Sequence, residues 1–470
     1  MNHADESISS QTATAPTAAT APTAMNLVYY GWVVVAVCFA VLALNAPLQS
    51  SFSLFYVAVL NEFNWSRGDA AGILALHLVL NGLMGPFAGG FIDRYGPKLV
   101  MPIGAVVTAL GLLGLSRATE MWHFYLGFGV VAAIGSTMIH IVPLTTIVAH
   151  WFVRHRGTAI GILAAGSGVG QLILMPLLQY LIERVGWRNA YLALGATILI
   201  IPTALVRLFL FNHPEERGLS AESELTPRRP RQPVEVVIES EGREIARKKG
   251  IVRRNEIIIL DKEWAEKEWT LGKAVRTYRF WAITLMMAMF AAGFYIISTH
   301  LVAYLQDKSY SPILAGSIVG LQGLFNFIGK ALGGAMCDRI GREKTLTFSI
   351  LLFIACILLL YLGGAVTSQA IIYAFCVFYG FGYGMAVPAL IASASDLFGG
   401  KHFGSILGLI LLGGFFGGAV GVWLGGKLFD LTNAYAANFI VAAVTMAISM
   451  ALIWSARPSR VRLIRTVTTE

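Results

Sequence analysis

The sequence predicts an all-α membrane protein in which twelve transmembrane helices form two six-helix pseudo-repeats. Three features lead to this fold class: the composition, the apolar runs and a motif that occurs in both halves. Of the 470 residues, 56% are hydrophobic and only 13% are charged, whereas soluble proteins contain about 25% charged residues. This composition excludes a soluble enzyme, a nucleic-acid-binding protein and a secreted disulfide scaffold.

Apolar runs of helical length divide the chain into its elements. A hydrocarbon core about 30 Å thick requires about 20 apolar residues for each helical crossing. A single long polar break, 212–278, separates the predicted spans six and six. We therefore expect a disordered tail (1–27), an N-terminal half (28–211), a central loop (212–278), a C-terminal half (279–456) and a basic tail (457–470). The runs predict spans near 28–59, 68–92, 97–116, 121–150, 157–183, 187–211, 279–306, 312–337, 343–363, 368–396, 402–430 and 434–456.

The polar segments and the cysteines show no sign of a bound cofactor. Segment 1–24 has no Lys or Arg and repeats Thr-Ala-Pro, which is typical of a disordered tail and unlike a signal peptide. All four cysteines lie in apolar runs without a CxxC pair, so we expect neither disulfides nor a metal site. In the central loop, 234–239 and 257–261 predict a small hairpin, and 263–278 predicts an amphipathic segment on the membrane surface.

Basic residues in the short loops predict the orientation. The side that contains the chain ends carries twelve Lys and Arg residues, and the opposite side carries six. The positive-inside rule therefore predicts that both termini and the central loop lie in the cytoplasm, in a bacterial-type inner membrane. The net charge of +9 is then explained by basic loops that face anionic lipid, not by nucleic-acid binding.

The two halves repeat each other in sequence. The segment GGFIDRYGPK at 89–98 recurs as GGAMCDRIGREK at 333–344, which places the two aspartates 245 residues apart. Several matches in the same order indicate an internal duplication. The same offset relates Asn81 to Asn326, Gly135 to Gly380 and Pro143 to Pro388.

On these residues the chain resembles transporters of the major facilitator superfamily, whose Gly-x-x-x-Asp-Arg-x-Gly-x-Lys loop follows helices 2 and 8. The resemblance covers about 28–456, and within the superfamily it is greatest to the monocarboxylate porter and oxalate/formate antiporter-like branch. Three segments carry the second likeness: YGW at 30–32, FNWSR at 63–67 and WFVRHRGTAIGILAAG at 151–166. The resemblance implies the major facilitator fold, in which two six-helix halves rock against each other.

The repeated loops and the glycine-rich spans are candidates for conformational roles. Asp93 with Arg94 and Asp338 with Arg339 lie at the cytoplasmic ends of spans 2 and 8, where they can act as a gate. Alternatively, these loops are structural turns whose basic residues set the topology. Glycines make one side of spans 5 and 11 smooth, which suits either sliding or tight packing.

One full charge lies deep inside a span, Lys330 in the eighth. It precedes Asp338 by eight residues, which is about 12 Å along a helix. A charge at the bilayer centre costs about 2.5–3.5 kcal/mol on insertion scales, so such a residue is a functional candidate. Gln322 and Asn326 precede Lys330 at intervals of four residues, and we expect all three on one polar face.

The repeat-related face of span 2 contains His77, Asn81 and Gly85, and we expect both faces to line a central cavity. With His140, the polar residues of these faces form the predicted substrate-binding set. No Asp or Glu lies deep in any span, so Lys330 lacks an internal counter-ion. An anionic substrate would supply that charge. The alternatives are a structural lysine solvated by the cavity, or a deprotonated lysine that carries the proton.

The resembled porters commonly have Arg on helix 8, with an acidic residue or Asn one turn before it. Asn326 and Lys330 stand at these positions here. Because the acidic residue is missing, the proton-coupling candidates are His77, His140 and His300, or the carboxyl group of the substrate itself. Each histidine alone can equally be a hydrogen-bonded packing residue.

These features predict a secondary transporter of a small organic anion, a monocarboxylate, that is coupled to the proton gradient and works by alternating access. The alternatives are a porter or exporter of a neutral or aromatic metabolite, or an anion exchanger. A membrane enzyme or receptor is not supported, because no nucleotide-binding loop, metal cluster or nucleophile constellation occurs in the sequence. We expect a monomer in the lipid bilayer, with no cofactor, no metal, no catalytic residue and no nucleic-acid partner.

Overall fold

A computed structural model describes residues 30–152, 156–217, 252–363, 368–400 and 402–469, and these residues are almost entirely helical. The predicted tail 1–27 lies outside the described residues. Eleven described helices are apolar and long enough to cross a membrane. The longest, Arg156–Phe209, is interrupted at Gly186, whose φ of 82° and ψ of 157° are not helical. It therefore holds two spans, and the described residues contain the twelve spans that the sequence predicts.

The N-terminal half contains spans 1 to 6. Span 1 is Tyr30–Asn45 followed by Pro47–Phe63, span 2 is Arg67–Tyr95 and span 3 is Pro97–Leu115. Span 4 consists of Met121–Phe124, a π-helix at Tyr125–Ala132, Ala133–Thr137 and Ile141–Trp151. Spans 5 and 6 are the two parts of Arg156–Phe209, before and after Gly186. A short 3₁₀ helix, Pro214–Arg217, follows.

The C-terminal half contains spans 7 to 12. Each of these spans is a single helix in the described residues. In chain order they are Tyr278–Asp307, Pro312–Ile340, Arg342–Gly363, Gln369–Phe398, Phe403–Thr432 and Ala436–Ala456.

The internal repeat extends to the helix caps. The side chain of Ser66 accepts the backbone N–H of Asp69 at the start of span 2. At the start of span 8, Ser311 does the same for Leu314. Spans 2 and 8 end before Gly96 and Gly341, whose φ values of 76° and 94° favour glycine. Because Ser66 and Gly96 recur 245 residues later, the two halves share the local signals that begin and end these helices.

The two halves pack on each other toward one end of the bundle. We call the end with Tyr30 and Ala456 the terminal face, and the end with Arg67 and Asp307 the distal face. Toward the distal face, Gly426 of span 11 packs on the backbone at Arg67, and span 5 packs on span 8. Toward the terminal face, the same four spans diverge. A Cβ added at seven of their glycines would meet open space: Gly85, Gly89, Gly90, Gly161, Gly334, Gly404 and Gly408.

The central loop and the C-terminal tail form a strand pair that the sequence did not predict. Strand β1, Val252–Ile259, pairs antiparallel with strand β2 of the C-terminal tail, Arg462–Thr469. The described partner of the segment 257–259 is thus the C-terminal tail, and the hairpin expected between 234–239 and 257–261 stays a prediction, because 234–239 lies outside the described residues. The segment 263–278 contains two short helices, Lys262–Glu266 and Leu271–Ala274, before span 7 begins. A long-range pairing of this kind leaves no local sequence pattern.

Close packing of span 5 on span 1 provides a test of the fold. At Gly170 an added Cβ would meet the backbone of Ala43, whereas Gly161 of the same span faces open space. Overpacking costs about 1–3 kcal/mol, so Gly170→Val should lower the midpoint of thermal unfolding by several degrees in detergent. The matched variant Gly161→Val should unfold like the wild type. Equal unfolding temperatures for the two variants would contradict this packing.

Candidate functional site

A cavity of about 250 Å³ lies between the two halves. Span 1 lines it with Gln49, Ser50 and Ser53, and spans 4 and 5 contribute His140, Ser167 and Gln171. The C-terminal half contributes polar residues of spans 7 and 8 and tyrosines of spans 7 and 10. The polar and aromatic residues of the C-terminal half that line the cavity are Phe294, Tyr295, Ser298, Thr299, Gln322, Asn326, Lys330, Tyr379 and Tyr383. The cavity thus exposes polar groups from both halves in the middle of an apolar bundle.

Lys330 is the one Lys, Arg, Asp or Glu among the described residues that line this cavity. Its ammonium Nζ donates to Ser167 Oγ of the opposite half at 3.2 Å. No described residue that lines the cavity is an Asp or Glu. A buried cation without a counter-ion is costly, so the site favours an anion. Lys330 therefore faces the cavity as the sequence predicts, while its role in binding stays a prediction.

Two further residues of the predicted face of span 8, Gln322 and Asn326, also line the cavity. Each has a buried amide atom, Nε2 of Gln322 and Oδ1 of Asn326, without a partner among the described residues. The hydroxyl oxygen of Thr299 in span 7 is in the same situation. Buried polar groups are nearly always hydrogen-bonded. The unpaired groups therefore indicate that water or a polar ligand completes this site.

The predicted face of span 2 lies elsewhere. His77 is fully buried, with Nδ1 2.8 Å from the carbonyl oxygen of Phe128 and its ring stacked on the Phe128 ring. Asn81 donates to the His77 carbonyl and accepts a hydrogen bond from Thr137 Oγ1 at 2.8 Å. The expectation that His77 and Asn81 line the central cavity is thus wrong. The π-helix and the following helix of span 4 cover this face, so its polar groups pair inside the N-terminal half.

The three candidate histidines are far from equivalent. His140 lies at a break in span 4 and lines the same cavity as Lys330. His300 lies toward the distal face, where its ring nitrogens face Tyr56 Oη at 3.4 Å and the carbonyl oxygen of Val422 at 3.1 Å. His77 and His300 are therefore packed and hydrogen-bonded away from the cavity, and His140 alone of the three lines it.

Several cavity residues were not predicted as part of the site. Ser167 and Gln171 of span 5 are four residues apart and lie on the cavity side, where Gln171 Nε2 donates to the carbonyl oxygen of Val319 in span 8 at 3.0 Å. Across the cavity, Tyr295 Oη donates to Gln49 Oε1 at 3.2 Å. Both bonds join the two halves. The signal in the sequence was the presence of glutamine inside apolar spans, which is costly unless the amide is paired.

At the distal face, polar contacts join the two halves. The guanidinium of Arg67 lies 2.8 Å from Asp307 Oδ2, contacts Tyr435 Oη and lies 3.7 Å above the Phe429 ring. The carboxylate of Asp430 accepts the backbone N–H groups of Arg67 and Gly68 at 2.9 and 2.8 Å. These bonds hold the start of span 2 against the ends of spans 7 and 11. We call this set, together with the following pair, the distal network.

A second ion pair belongs to the distal network. Lys427 Nζ of span 11 lies 2.7 Å from Asp69 Oδ1 of span 2. By contrast, Arg188 pairs with Glu62 at 2.6 Å at the same face, and both belong to the N-terminal half. The distal face therefore contains ion pairs of both kinds, between the halves and within one half.

At the terminal face, the predicted gate residues make contacts within their own halves. Asp338 pairs with Arg342 at 3.1 Å, and Arg342 also lies 3.0 Å from Asp396. Arg94 lies beside the ring of Tyr95, and Arg339 is exposed. The side chain of Asp93 is outside what the structure describes. Among the described residues, no ion pair joins the halves at this face, and the gating role of Asp93, Arg94, Asp338 and Arg339 stays a prediction.

Sequence comparisons identify a family and similar proteins. The family model described as Major Facilitator Superfamily matches residues 34–420. Monocarboxylate transporter 13 of Bos taurus is 26% identical over 417 residues, which are 88% of this chain and 86% of that protein. Monocarboxylate transporter 4 of Gallus gallus is 25% identical over 427 residues, 89% and 81% of the two chains. An uncharacterized MFS-type transporter of Bacillus subtilis, YcxA, is 26% identical over 409 residues, 85% and 89%.

Solved structures share the fold. A bacterial homolog to the human lysosomal transporter Spinster, in an inward-facing and occupied conformation, superposes with a TM-score of 0.64 at 16% identity. The alignment covers 92% of this chain and 97% of that one. The same homolog in an inward-facing and unoccupied conformation gives a TM-score of 0.60. At this level of identity the comparison supports the architecture alone.

The contacts of the distal network predict that Arg67 holds the two halves together at the distal face. Arg67→Ala removes the guanidinium that contacts Asp307, Tyr435 and Phe429, so conformations with an open distal face should gain population. Spin labels at Thr119 and Ala434, exposed in the distal loops of opposite halves, should then show a longer-distance population. The control Arg188→Ala breaks a pair within one half and should leave the distances unchanged. Identical distance distributions in the two variants would contradict a role of Arg67 in holding the face closed.

Proposed function

The chain belongs to the Major Facilitator Superfamily, and on this premise we propose that it is a secondary active transporter of a small organic anion, a monocarboxylate. The observation that carries the proposal is Lys330, an ammonium in the central cavity with no acidic residue among the described lining. A carboxylate bound there would compensate the charge that the protein leaves unbalanced. Transport would follow from exposure of this site to each face in turn.

The polar groups around Lys330 support a ligand with a carboxylate and a second polar substituent. Gln322, Asn326 and Thr299 each offer an unpaired buried atom beside the same cavity. A hydroxy or keto acid would satisfy several of them at once. The names of the similar proteins, monocarboxylate transporters 13 and 4, agree with this substrate class.

Orientation and mechanism follow from charge and shape. The excess of Lys and Arg in the loops at the terminal face supports a cytoplasmic position for this face and for both termini, in a bacterial-type inner membrane. The distal network then seals the outer side, and the cavity is accessible from the cytoplasm. In the opposite conformation, we propose that the Asp93 and Asp338 loops approach each other and close the inner side. Whether the cycle runs as uptake, export or exchange depends on the gradients.

Proton coupling is proposed to involve His140. A protonated His140 beside the ammonium of Lys330 would place two positive charges at one cavity, which is unfavourable in a medium of low dielectric constant. A bound carboxylate reduces this repulsion. Protonation and anion binding would therefore favour each other, which is the energetic basis of symport. The alternative is that the carboxyl group of the substrate carries the proton itself.

One observation favours a second candidate function, transport of an aromatic metabolite. Phe294 stacks on Tyr383 with ring centroids 4.2 Å apart and on Tyr379 at 5.3 Å, and all three residues line the cavity. Aromatic side chains provide a large apolar surface for a ring-shaped ligand. A neutral aromatic solute would use this surface without requiring Lys330, so the two functions differ in their dependence on that residue.

Removal of the ammonium tests the anion proposal. In proteoliposomes, Lys330→Gln should lower the uptake of radiolabelled L-lactate, pyruvate or benzoate at least tenfold. The reason is that a hydrogen bond to a charged group contributes about 1.5–3 kcal/mol, and about 1.4 kcal/mol corresponds to tenfold. Lys262→Gln, in an exposed position of the short helix Lys262–Glu266, should transport like the wild type. Unchanged anion uptake by Lys330→Gln, or uptake of neutral aromatic solutes only, would overturn the proposal.

Substitution of His140 tests the coupling. An inward proton gradient should stimulate wild-type uptake, whereas His140→Asn should lose the stimulation and retain exchange of labelled for unlabelled anion without a gradient. His300→Asn, which alters a histidine away from the cavity, should keep the stimulation. Should His140→Asn still respond fully to the gradient, the proton is carried by the substrate and not by this imidazole.

A further inference from the structure

Span 4 is discontinuous at the level of the cavity. Its helix stops at Thr137 and starts again at Ile141. The residue between them that caps the second helix, His140, has extended backbone angles, φ −92° and ψ −176°. Both His140 and Ile141 line the cavity. An eleven-residue helix, Ile141–Trp151, therefore begins inside the bundle and not at a membrane surface.

Two residues explain the break. Pro143 has no N–H group, and its ring clashes with the carbonyl of the residue four positions earlier, so a helix cannot continue smoothly through Ile139. Asn45 of span 1 compensates, because its Nδ2 donates to the carbonyl oxygens of Ser136 and Ile139 at 3.1 and 3.3 Å. The carbonyl groups on one side of the break are thus paired with Asn45, a residue that is only 2% exposed.

The N–H groups on the other side of the break have no such partner. Among the described residues, no acceptor contacts the backbone N–H of Ile141 or Val142, and His140 provides no side-chain cap. A helix start with free N–H groups attracts anions, and the helix dipole adds to the effect. In transporters, discontinuous helices that begin at mid-membrane can direct such N–H groups at an anionic substrate.

Independent evidence indicates a ligand at this place. Gln322 and Thr299 are only 5% and 2% exposed, line the same cavity and have side-chain atoms without a partner among the described residues. Lys330, on the same face of span 8 as Gln322, lines the same cavity as His140. The helix start and the ammonium thus belong to one cavity but come from opposite halves.

We propose that the carboxylate of the substrate is held between the ammonium of Lys330 and the free N–H groups at Ile141 and Val142. This inference rests on the proposed function and adds to it a second anchor, which the N-terminal half provides through its backbone. An anion held in this way contacts both halves at once. Its binding therefore draws span 4 and span 8 together, which couples occupancy to closure of the cavity.

The related span of the other half shows that the break is a particular feature of span 4. Pro388 lies 245 residues after Pro143, yet span 10 is one continuous helix from Gln369 to Phe398. The residue that lies 245 positions after Asn45 is Phe290, which has no side-chain amide to donate to freed carbonyl groups. The positive ends of the site are thus placed asymmetrically, with the helix start in one half and the lysine in the other.

Two substitutions remove the free N–H groups by opposite routes. Ile141→Pro deletes one donor at the first helical position, where proline is well accommodated and the extended His140 already fits the residue before a proline. Ile141→Ala is its control, since it alters the side chain and retains the N–H. Pro143→Ala allows the helix to close across the break, so that the N–H groups of Ile141 and Val142 pair within span 4. Pro388→Ala is the control for that change.

The test measures KM for radiolabelled L-lactate, pyruvate and benzoate in proteoliposomes, with thermal unfolding as the control for folding. We expect Pro143→Ala to raise KM about tenfold over the wild type and Ile141→Pro to raise it about tenfold over Ile141→Ala, each equivalent to about 1.4 kcal/mol, whereas Pro388→Ala should stay near the wild type. Pro143→Ala should unfold no earlier than the wild type, so it carries the test even if Ile141→Pro does not fold.

The inference is overturned if Ile141→Pro has the KM of Ile141→Ala, or if Pro143→Ala has the KM of the wild type. These outcomes leave the proposed function intact, because the wild type would still transport the anion. By contrast, absence of anion transport by the wild type and by Ile141→Ala would overturn the proposed function and this inference together.

Discussion

The structure depends on one electrostatic constraint, an ammonium placed in a cavity between two apolar halves without a carboxylate among the described residues around it. Such a charge is stable only where water or an anion reaches it, so the cavity around Lys330 has to remain polar. Ser167 of the opposite half partly satisfies the ammonium at 3.2 Å. The lysine therefore links the two halves directly and makes their separation sensitive to what fills the cavity.

The contacts between the halves complete this arrangement. At the distal face, Arg67, Asp307 and Asp430 hold the start of span 2 against spans 7 and 11. These groups are near the surface, where ion pairs are weak individually. Toward the terminal face, Gly85 and Gly89 of span 2 and Gly404 and Gly408 of span 11 face open space. A network of modest strength at one face suits the proposed alternating access, in which its contacts would be exchanged for contacts at the other face.

The sequence predicted the scaffold well and the site only in part. Periodic apolar runs and a repeat at 245 residues led to the twelve spans, and Lys330, Gln322 and Asn326 line the cavity as their spacing indicated. His77 and Asn81 were misplaced because a repeat in sequence does not reveal what covers a helix face. A π-helix in span 4 shifts the register of that span over them. The partner of strand β1 was also unpredictable, since tail and loop are far apart in sequence.

The most informative departures are those from the internal symmetry. The caps of spans 2 and 8 recur at the same offset, so the duplication preserved what begins and ends these helices. At the cavity the two halves differ, because Gly85 stands where the other half has Lys330. In addition, span 4 is broken where span 10 is continuous. A symmetric pair of lysines would repel each other across the cavity. In the binding mode proposed above, one lysine opposite one helix start would attract an anion from both sides without that cost, and two halves of common origin would thereby bind a single asymmetric ligand.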